Sequence, residues 1–300
     1  MRVLVTGAGG FVGSFLAEGF IAAGHAVVAL DRAFDLPVRA RLSGATIVEA
    51  TINAETLGRL EPVELVVHGA AVTTVPSVLG LSEIEHIRLH CNALLDVLAY
   101  ARECGARDFV SLSSSAVFDT VDGIDLLLET TPANATSAYS LAKRACEILV
   151  ETLENDSIRA LSVRLGPVYG PSERSRQSRQ NVSLVRRWAD AASAGEPIVV
   201  GSPDSRRDWT YGPDLPGAIL ALLARQPAVA GILHLTAGEA VSDAELGAYM
   251  ATLCGVSCHI QQERGAVRRL PMSSERITPR ELYDWTPLEL GLTKILEEQQ

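Results

Sequence analysis

The chain has 300 residues, 47% of them hydrophobic, and a formal net charge of −10. This size and apolar content suit one large α/β domain or two lobes on a shared core. The acidic balance argues against a general nucleic-acid binder. No uninterrupted apolar run reaches bilayer length, so no membrane partner is expected. The five cysteines lack a framework spacing, which predicts a cytoplasmic protein. Cys254, Cys258 and His259 lack a second ligand pair, so no metal site is predicted.

The first 31 residues have the pattern of a dinucleotide-binding βαβ unit. Residues 3–5 are an apolar run typical of a buried parallel strand, and Gly7, Gly10 and Gly13 follow. Such glycines allow a tight turn, close approach of a pyrophosphate and close helix packing, and the helix N-terminus favours the phosphates. A second strand ends at Asp31, where a carboxylate can accept hydrogen bonds from the adenosine ribose. Arg32 could meet a 2′-phosphate, but Asp31 would repel one, so NAD is expected rather than NADP.

The rest of the chain continues this alternation and then loses it. Apolar periodicity predicts further strands and two long helices. The strands are expected at residues 45–49, 65–68, 109–112 and 159–165, and the helices at 83–104 and 137–154. We therefore predict a doubly wound parallel α/β sheet of the Rossmann type, with an NAD-binding domain at 1–170. Residues 171–300 are expected to form mainly a smaller substrate-binding lobe, with some segments returning to the core.

Polar side chains gather at the predicted carboxyl edge of the sheet. The strand at 109–112 runs into a series of serines that includes Ser114. The helix at 137–154 opens with Tyr139 and Lys143, whose spacing of four puts them on one helix face. A right-handed crossover would bring that face beside the serines.

Two further polar residues each have two interpretations. His68 ends the fourth strand, where it is either a catalytic base or a packed side chain. Asn92 lies inside the first long helix, where it either reaches the active site or faces solvent.

The motifs together resemble those of the extended short-chain dehydrogenases/reductases, in the NAD-dependent epimerase/dehydratase family. The similarity covers essentially the whole chain. The matching segments are 6–13 (TGxxGxxG), 113–118 (the strand-end serine motif), 139–143 (YxxxK), 168–171 (VYGP), 207–214 (RDFxYVxD) and 281–292 (ELGWxP…GL).

This resemblance implies a role for each matching residue. Tyr139 would move a proton to or from the substrate while hydride passes to or from nicotinamide. Lys143 would hold the nicotinamide ribose and favour the phenolate, as an adjacent cation does. Ser114, or else Ser115, would hydrogen-bond the reacting oxygen. The implied cofactor-binding residues are Gly7, Gly10, Phe11, Val12, Gly13, Asp31, Arg32, Thr51, Ile52, His68, Ala70, Ala71, Asn92, Tyr139, Lys143 and Pro167. The candidate substrate-binding residues are Ser115, Arg174, Arg207 and Arg264.

Departures from the family pattern bear on the reaction. Ser115 and Ala116 stand where sugar 4,6-dehydratases have an acidic pair, which argues against that activity. Pro167 replaces an asparagine of many nucleotide-sugar epimerases, and the family's RxGD is reduced at 264–266. The leading prediction is an NAD-dependent sugar-nucleotide epimerase with an anionic carbohydrate substrate. A sugar or sugar-acid dehydrogenase and a non-catalytic NAD-binding regulator are the alternatives.

The two long helices also predict the assembly. Family members often pair them across a two-fold axis, and apolar residues occur around much of both helices. A homodimer is therefore expected.

Overall fold

A computed structural model describes residues 1–119, 123–153, 158–264 and 268–298. Its strands, in chain order, are β1 (Arg2–Thr6), β2 (Ala26–Asp31), β3 (Thr46–Glu49), β4 (Leu65–His68), β5 (Asp108–Ser114), β6 (Arg159–Leu165), β7 (Val168–Tyr169), β8 (Ile198–Val200), β9 (Arg206–Asp208), β10 (Thr210–Tyr211), β11 (Gly231–Leu235), β12 (Ala240–Ser242) and β13 (Cys258–Ile260). Its α-helices are α1 (Phe11–Ala22), α2 (Leu36–Arg41), α3 (Ala54–Leu57), α4 (Glu83–Glu103), α5 (Ala138–Val150), α6 (Leu184–Ser193), α7 (Leu215–Ala224), α8 (Asp243–Cys254), α9 (Pro279–Leu282) and α10 (Leu288–Glu297).

Seven of these strands form one parallel sheet in the order β11-β6-β5-β4-β1-β2-β3. The chain order reverses at β1, which pairs with β2 on one side and β4 on the other. Such a switch point opens a crevice at the carboxyl ends of the strands, where ligands of doubly wound sheets bind. The predicted fold class is confirmed.

Helices cover both faces of the sheet because its strands are apolar on both sides. On one face α1 and α7 bury side chains such as Phe20 and Ile219 against the sheet. On the other face α4 and α5 bury side chains such as Leu94 and Val150. No helix of the described residues is long and apolar enough to cross a membrane.

The two long helices begin where their capping residues predict. Ser82 and Glu85 form a reciprocal capping box that starts α4, and the Ser137 hydroxyl accepts the Ser140 N–H at the start of α5. Helix α5 ends earlier than predicted, at Val150, and a 3₁₀ turn follows. The predicted end at residue 154 lies outside the described residues.

The second half of the chain divides between a lobe and the sheet. Trp188 of α6, Met250 of α8 and Leu292 of α10 share a separate apolar core with Trp209. In contrast, β11 pairs with β6 at the edge of the main sheet, and α7 packs on α1. In the chain, α7 and β11 lie between α6 and α8. The lobe is therefore connected to the sheet both before and after these two elements.

Candidate active site

The glycine loop between β1 and α1 leaves one surface open to a ligand. Gly7 has φ +74°, and a Cβ there would lie 2.6 Å from the backbone nitrogen of Ala70. A Cβ on Gly13 would lie 2.1 Å from the Gly7 carbonyl oxygen, so the helix packs directly on the turn. A Cβ on Gly10 would meet only the Gly7 carbonyl oxygen, at 3.1 Å, and otherwise faces the crevice. This cradle fits a dinucleotide diphosphate.

Asp31 is held in place at the end of β2. Its Oδ2 accepts the Gly9 N–H at 3.0 Å, and its Oδ1 accepts the Arg32 N–H at 2.6 Å. Burial raises the pKa of the Asp31 carboxyl above its ordinary value, while these N–H groups and the Arg176 charge act to lower it. The Arg32 side chain is exposed. The carboxylate is thus oriented before any ribose binds.

A cavity of about 920 Å³ runs from the glycine loop to the start of α5. Every predicted cofactor-binding residue except His68 lines it, as do Ser114, Ser115, Arg174 and Arg207. Residues that lie far apart in the sequence therefore share one site.

The remaining two candidates lie elsewhere. His68 is buried beneath the cavity, with Nδ1 2.9 Å from the Thr6 hydroxyl oxygen, because its strand-end side chain turns into the sheet. Arg264 is exposed and does not line the cavity, and residues 265–266 of the reduced RxGD lie outside the described residues. Among the described residues no cluster of three or more potential metal ligands is found.

Tyr139, Lys143 and Ser114 all line the cavity. The Lys143 ammonium is buried, donates to the Leu112 carbonyl at 2.7 Å and lies 5.8 Å from the Tyr139 ring centroid. The Ser114 hydroxyl oxygen accepts the Ala116 N–H at 3.1 Å. The lysine is therefore anchored to the strand that ends in the serine.

A buried ion pair lies one turn beyond Lys143. Arg164 of β6 and Glu147 of α5 form two parallel contacts of 2.8 Å, and each is 4% exposed. Ser113 of β5 donates to the same carboxylate at 2.6 Å. The pair thus joins α5 to both strands directly below the Tyr139–Lys143 face.

The sequence analysis missed His90, which contacts Tyr139. Its ring centroid lies 5.7 Å from that of Tyr139 in an edge-on arrangement, and Nε2 lies 3.1 Å from the Val72 carbonyl oxygen. Burial lowers the pKa of His90 to about 3, so the ring stays neutral at physiological pH. Asn92 also lines the cavity but is exposed. The position of His90 in the sequence could have identified it, because His90 lies one turn before Leu94 on the buried face of α4.

Arginines border the opposite wall of the cavity. Arg207 of β9 is held by Asp243, which accepts from Nε at 2.8 Å and from Nη2 at 2.9 Å. Arg174 and Arg187 are exposed and lie on the cavity wall, and neither forms an ion pair within the part of the chain that the structure describes. The sequence analysis did not single out Arg187, because nothing near it marks that turn of α6 as facing the cavity.

The fold and this cavity together are those of a dinucleotide-binding enzyme. The glycine loop, the carboxylate at the end of β2 and the Tyr139–Lys143–Ser114 group all line one cavity. The protein-family model described as "NAD dependent epimerase/dehydratase family" matches residues 3–233. The chain therefore belongs to the NAD-dependent epimerase/dehydratase family, and its cofactor is NAD.

Individual relatives agree in fold and differ in reaction. The UDP-glucose 4-epimerase of Mycolicibacterium smegmatis is 27% identical over 315 residues, which cover 99% of this chain and 98% of that one. The 2'-dehydrokanamycin reductase of Streptomyces kanamyceticus is 29% identical over 240 residues, which cover 78% and 61% of the two chains. The crystal structure of the Thermus thermophilus UDP-glucose 4-epimerase with NAD has a TM-score of 0.83 at 22% identity, covering 100% of this chain and 99% of that one.

Proposed function

We propose that the protein is an NAD-dependent sugar-nucleotide epimerase. The observation that carries the proposal is the continuity of the cavity, which joins the dinucleotide cradle, the Tyr139 group and an arginine-bordered wall. A relative named UDP-glucose 4-epimerase that aligns over 99% of this chain supports the same conclusion.

The arrangement assigns a task to each catalytic side chain. NAD, when bound, would accept a hydride from the substrate and return it. Tyr139 takes the proton from the substrate hydroxyl and returns it, and the Lys143 ammonium lies 5.8 Å from the centroid of its ring. Ser114, or Ser115 beside it, donates a hydrogen bond to the reacting oxygen. Lys143 is anchored to the Leu112 carbonyl, two residues before Ser114. The end of β5 therefore positions both the lysine and the serine.

The arginine-bordered part of the cavity suits an anionic group of the substrate. Arg207 keeps Nη1 available while Asp243 fixes its plane, and Arg174 and Arg187 add exposed positive charge. A planar guanidinium can bind a phosphate through two parallel hydrogen bonds. These arginines therefore support an anionic carbohydrate, of which a nucleoside diphosphate sugar is the best match.

A sugar or sugar-acid dehydrogenase is the second candidate, supported by the similarity to a reductase. Whether NADH accumulates distinguishes the two candidate activities. An epimerase removes hydride and returns it, so sugar nucleotides such as UDP-glucose should interconvert with catalytic NAD and without accumulating NADH. Stoichiometric NADH with every active substrate would instead establish the dehydrogenase.

We further propose that the enzyme is a cytoplasmic homodimer. The five cysteines are all free, as suits a reducing compartment. Large apolar side chains on α4 and α5 are exposed, and a second copy of the same two helices would cover them. These side chains are Ile84, Leu89, Leu95, Leu141 and Ile148.

A further inference from the structure

A short hairpin from the second half of the chain lies across the glycine loop. We call residues 174–180 the arginine hairpin. Arg176 and Arg179 exchange both backbone hydrogen bonds, at 2.9 and 3.0 Å, around a two-residue turn. Residues directly opposite each other in such a pair project side chains to the same face. The hairpin thus presents two guanidinium groups in one direction.

Both guanidinium groups lie against the glycine loop. Arg176 donates to the Gly9 carbonyl oxygen, and its Nη2 contacts the Asp35 carboxylate at 2.5 Å. The Arg179 guanidinium carbon lies 4.9 Å from the centroid of the Phe11 ring. Both arginines line the cavity beside Gly10, the one loop glycine that leaves the crevice open.

The two cations are held together although their charges repel. Like charges directly opposite each other in an antiparallel pair destabilise it. Arg179 is retained by Glu173, whose side chain is fully buried, and the Arg179 Nε is a buried donor without a partner among the described residues. Asp35 and Glu173 each offset one of the two charges, and an anion beside the arginines could accept a hydrogen bond from the remaining Arg179 donor.

The hairpin is also tied to the far side of the crevice. The Ser178 carbonyl accepts the Thr73 N–H at 2.8 Å, and the Gln177 carbonyl accepts the Thr74 hydroxyl at 2.8 Å. These threonines follow β4, which borders the switch point of the sheet. The hairpin therefore bridges the crevice from the glycine loop to the loop after β4.

We propose that the arginine hairpin provides a second set of contacts to the NAD diphosphate, in addition to those of the glycine loop. Arg176 and Arg179 hold NAD against the loop and slow the dissociation of NAD. The N–H groups at the start of α1 and the two guanidinium groups would both contact the diphosphate. This retention rests on the proposed epimerase function in one respect: an epimerase regenerates NAD on the protein in each cycle and gains from keeping it.

The test measures NAD dissociation without any sugar substrate. Protein loaded with NAD is diluted, and released NAD is trapped by an unrelated dehydrogenase. Arg176→Ala should release NAD about 10- to 100-fold faster, the effect of losing charge-assisted hydrogen bonds. Arg186→Ala is the matched control, because Arg186 pairs with Asp190 at 2.8 Å on α6 and does not line the cavity. It removes the same charge and should release NAD at the wild-type rate.

Arg179 needs a conservative change, because alanine would leave the buried Glu173 carboxylate unpaired. Arg179→Lys keeps a cation for that carboxylate and removes the planar fork. It should also speed NAD release while melting within a few degrees of wild type. Release within twofold of wild type for both Arg176→Ala and Arg179→Lys overturns the proposal.

A ligand series locates the contact. The affinity lost in Arg176→Ala should be large for NAD and for ADP-ribose and near zero for adenosine, which has no diphosphate. An equal loss for adenosine refutes the diphosphate assignment. Slow, arginine-dependent release in a protein that interconverts no sugar nucleotide would uphold the hairpin site and reject the proposed function. Fast release in an active epimerase would do the reverse.

Discussion

Replacing Glu147 by methionine should destabilise the protein by about 3–5 kcal/mol. The carboxylate is 4% exposed and accepts two hydrogen bonds from Arg164, which is equally buried, and a third from Ser113. Methionine has similar length and no acceptor, so the guanidinium would stay buried without its counter-charge. Arg164→Met should cost a similar amount, because it leaves the carboxylate with only the serine hydroxyl.

The double variant distinguishes an unpaired charge from lost packing. Replacing a whole buried ion pair by apolar residues of similar volume is often neutral or stabilising. Glu147→Met/Arg164→Met should therefore be more stable than either single variant. Urea unfolding at neutral pH measures these differences in stability. If the free energy of unfolding falls by about 3 kcal/mol per molar urea, each single variant should lower the urea midpoint by about 1 M or more. NAD must be equally saturating in all samples, because ligand binding stabilises the folded state.

Two outcomes would refute this reasoning. A cost below about 1 kcal/mol for Glu147→Met would mean that water or another group already serves Arg164. A double variant destabilised by the sum of the singles would mean that the two side chains act independently, which their contacts do not allow.

Four further expectations concern the site and the assembly. Tyr139→Phe should lower kcat by about 10²–10⁴-fold with NAD affinity near wild type, and whichever of Ser114→Ala and Ser115→Ala is more impaired identifies the catalytic serine. Asp31→Ala should reduce the preference for NAD over NADP. Titrations that show an unchanged ratio of the two dissociation constants would contradict a contact between Asp31 and the ribose. Arg207→Lys should raise KM for the sugar nucleotide and leave NAD binding alone, since lysine cannot keep the fork that Asp243 orients; an unchanged KM would exclude Arg207 from the substrate site. Light scattering at micromolar concentration should give a dimer mass, and a monomer would show that α4 and α5 are not the interface.

Features of local spacing were predictable from the sequence. The glycine loop, Asp31 and the Tyr139–Lys143 pair each depend on a few consecutive residues and one helix or strand period, and the structure places them as the periods require. The fold class followed because alternating buried strands and helices have few compatible arrangements.

The features that escaped the sequence analysis depend on tertiary approach. The helical period places His90 on the buried face of α4, but its contact with Tyr139 exists only because α4 and α5 pack side by side. The arginine hairpin meets the glycine loop across 167 residues of sequence, from Arg176 to Gly9. Of its arginines the sequence analysis singled out only Arg174, as a substrate-binding candidate, since scattered arginines in a loop do not indicate which part of the crevice the loop covers.

The burial of Lys143 has a practical consequence for probing the crevice. The chain carries two lysines, Lys143 and Lys294, and takes the rest of its positive side-chain charge from arginine. Only Lys143 lies in the cavity, with its ammonium bonded to a strand carbonyl. An amine-reactive reagent therefore has one internal target besides Lys294 and the chain terminus. Its rate of modification, read by mass spectrometry, reports how accessible Lys143 is to solvent through the cavity.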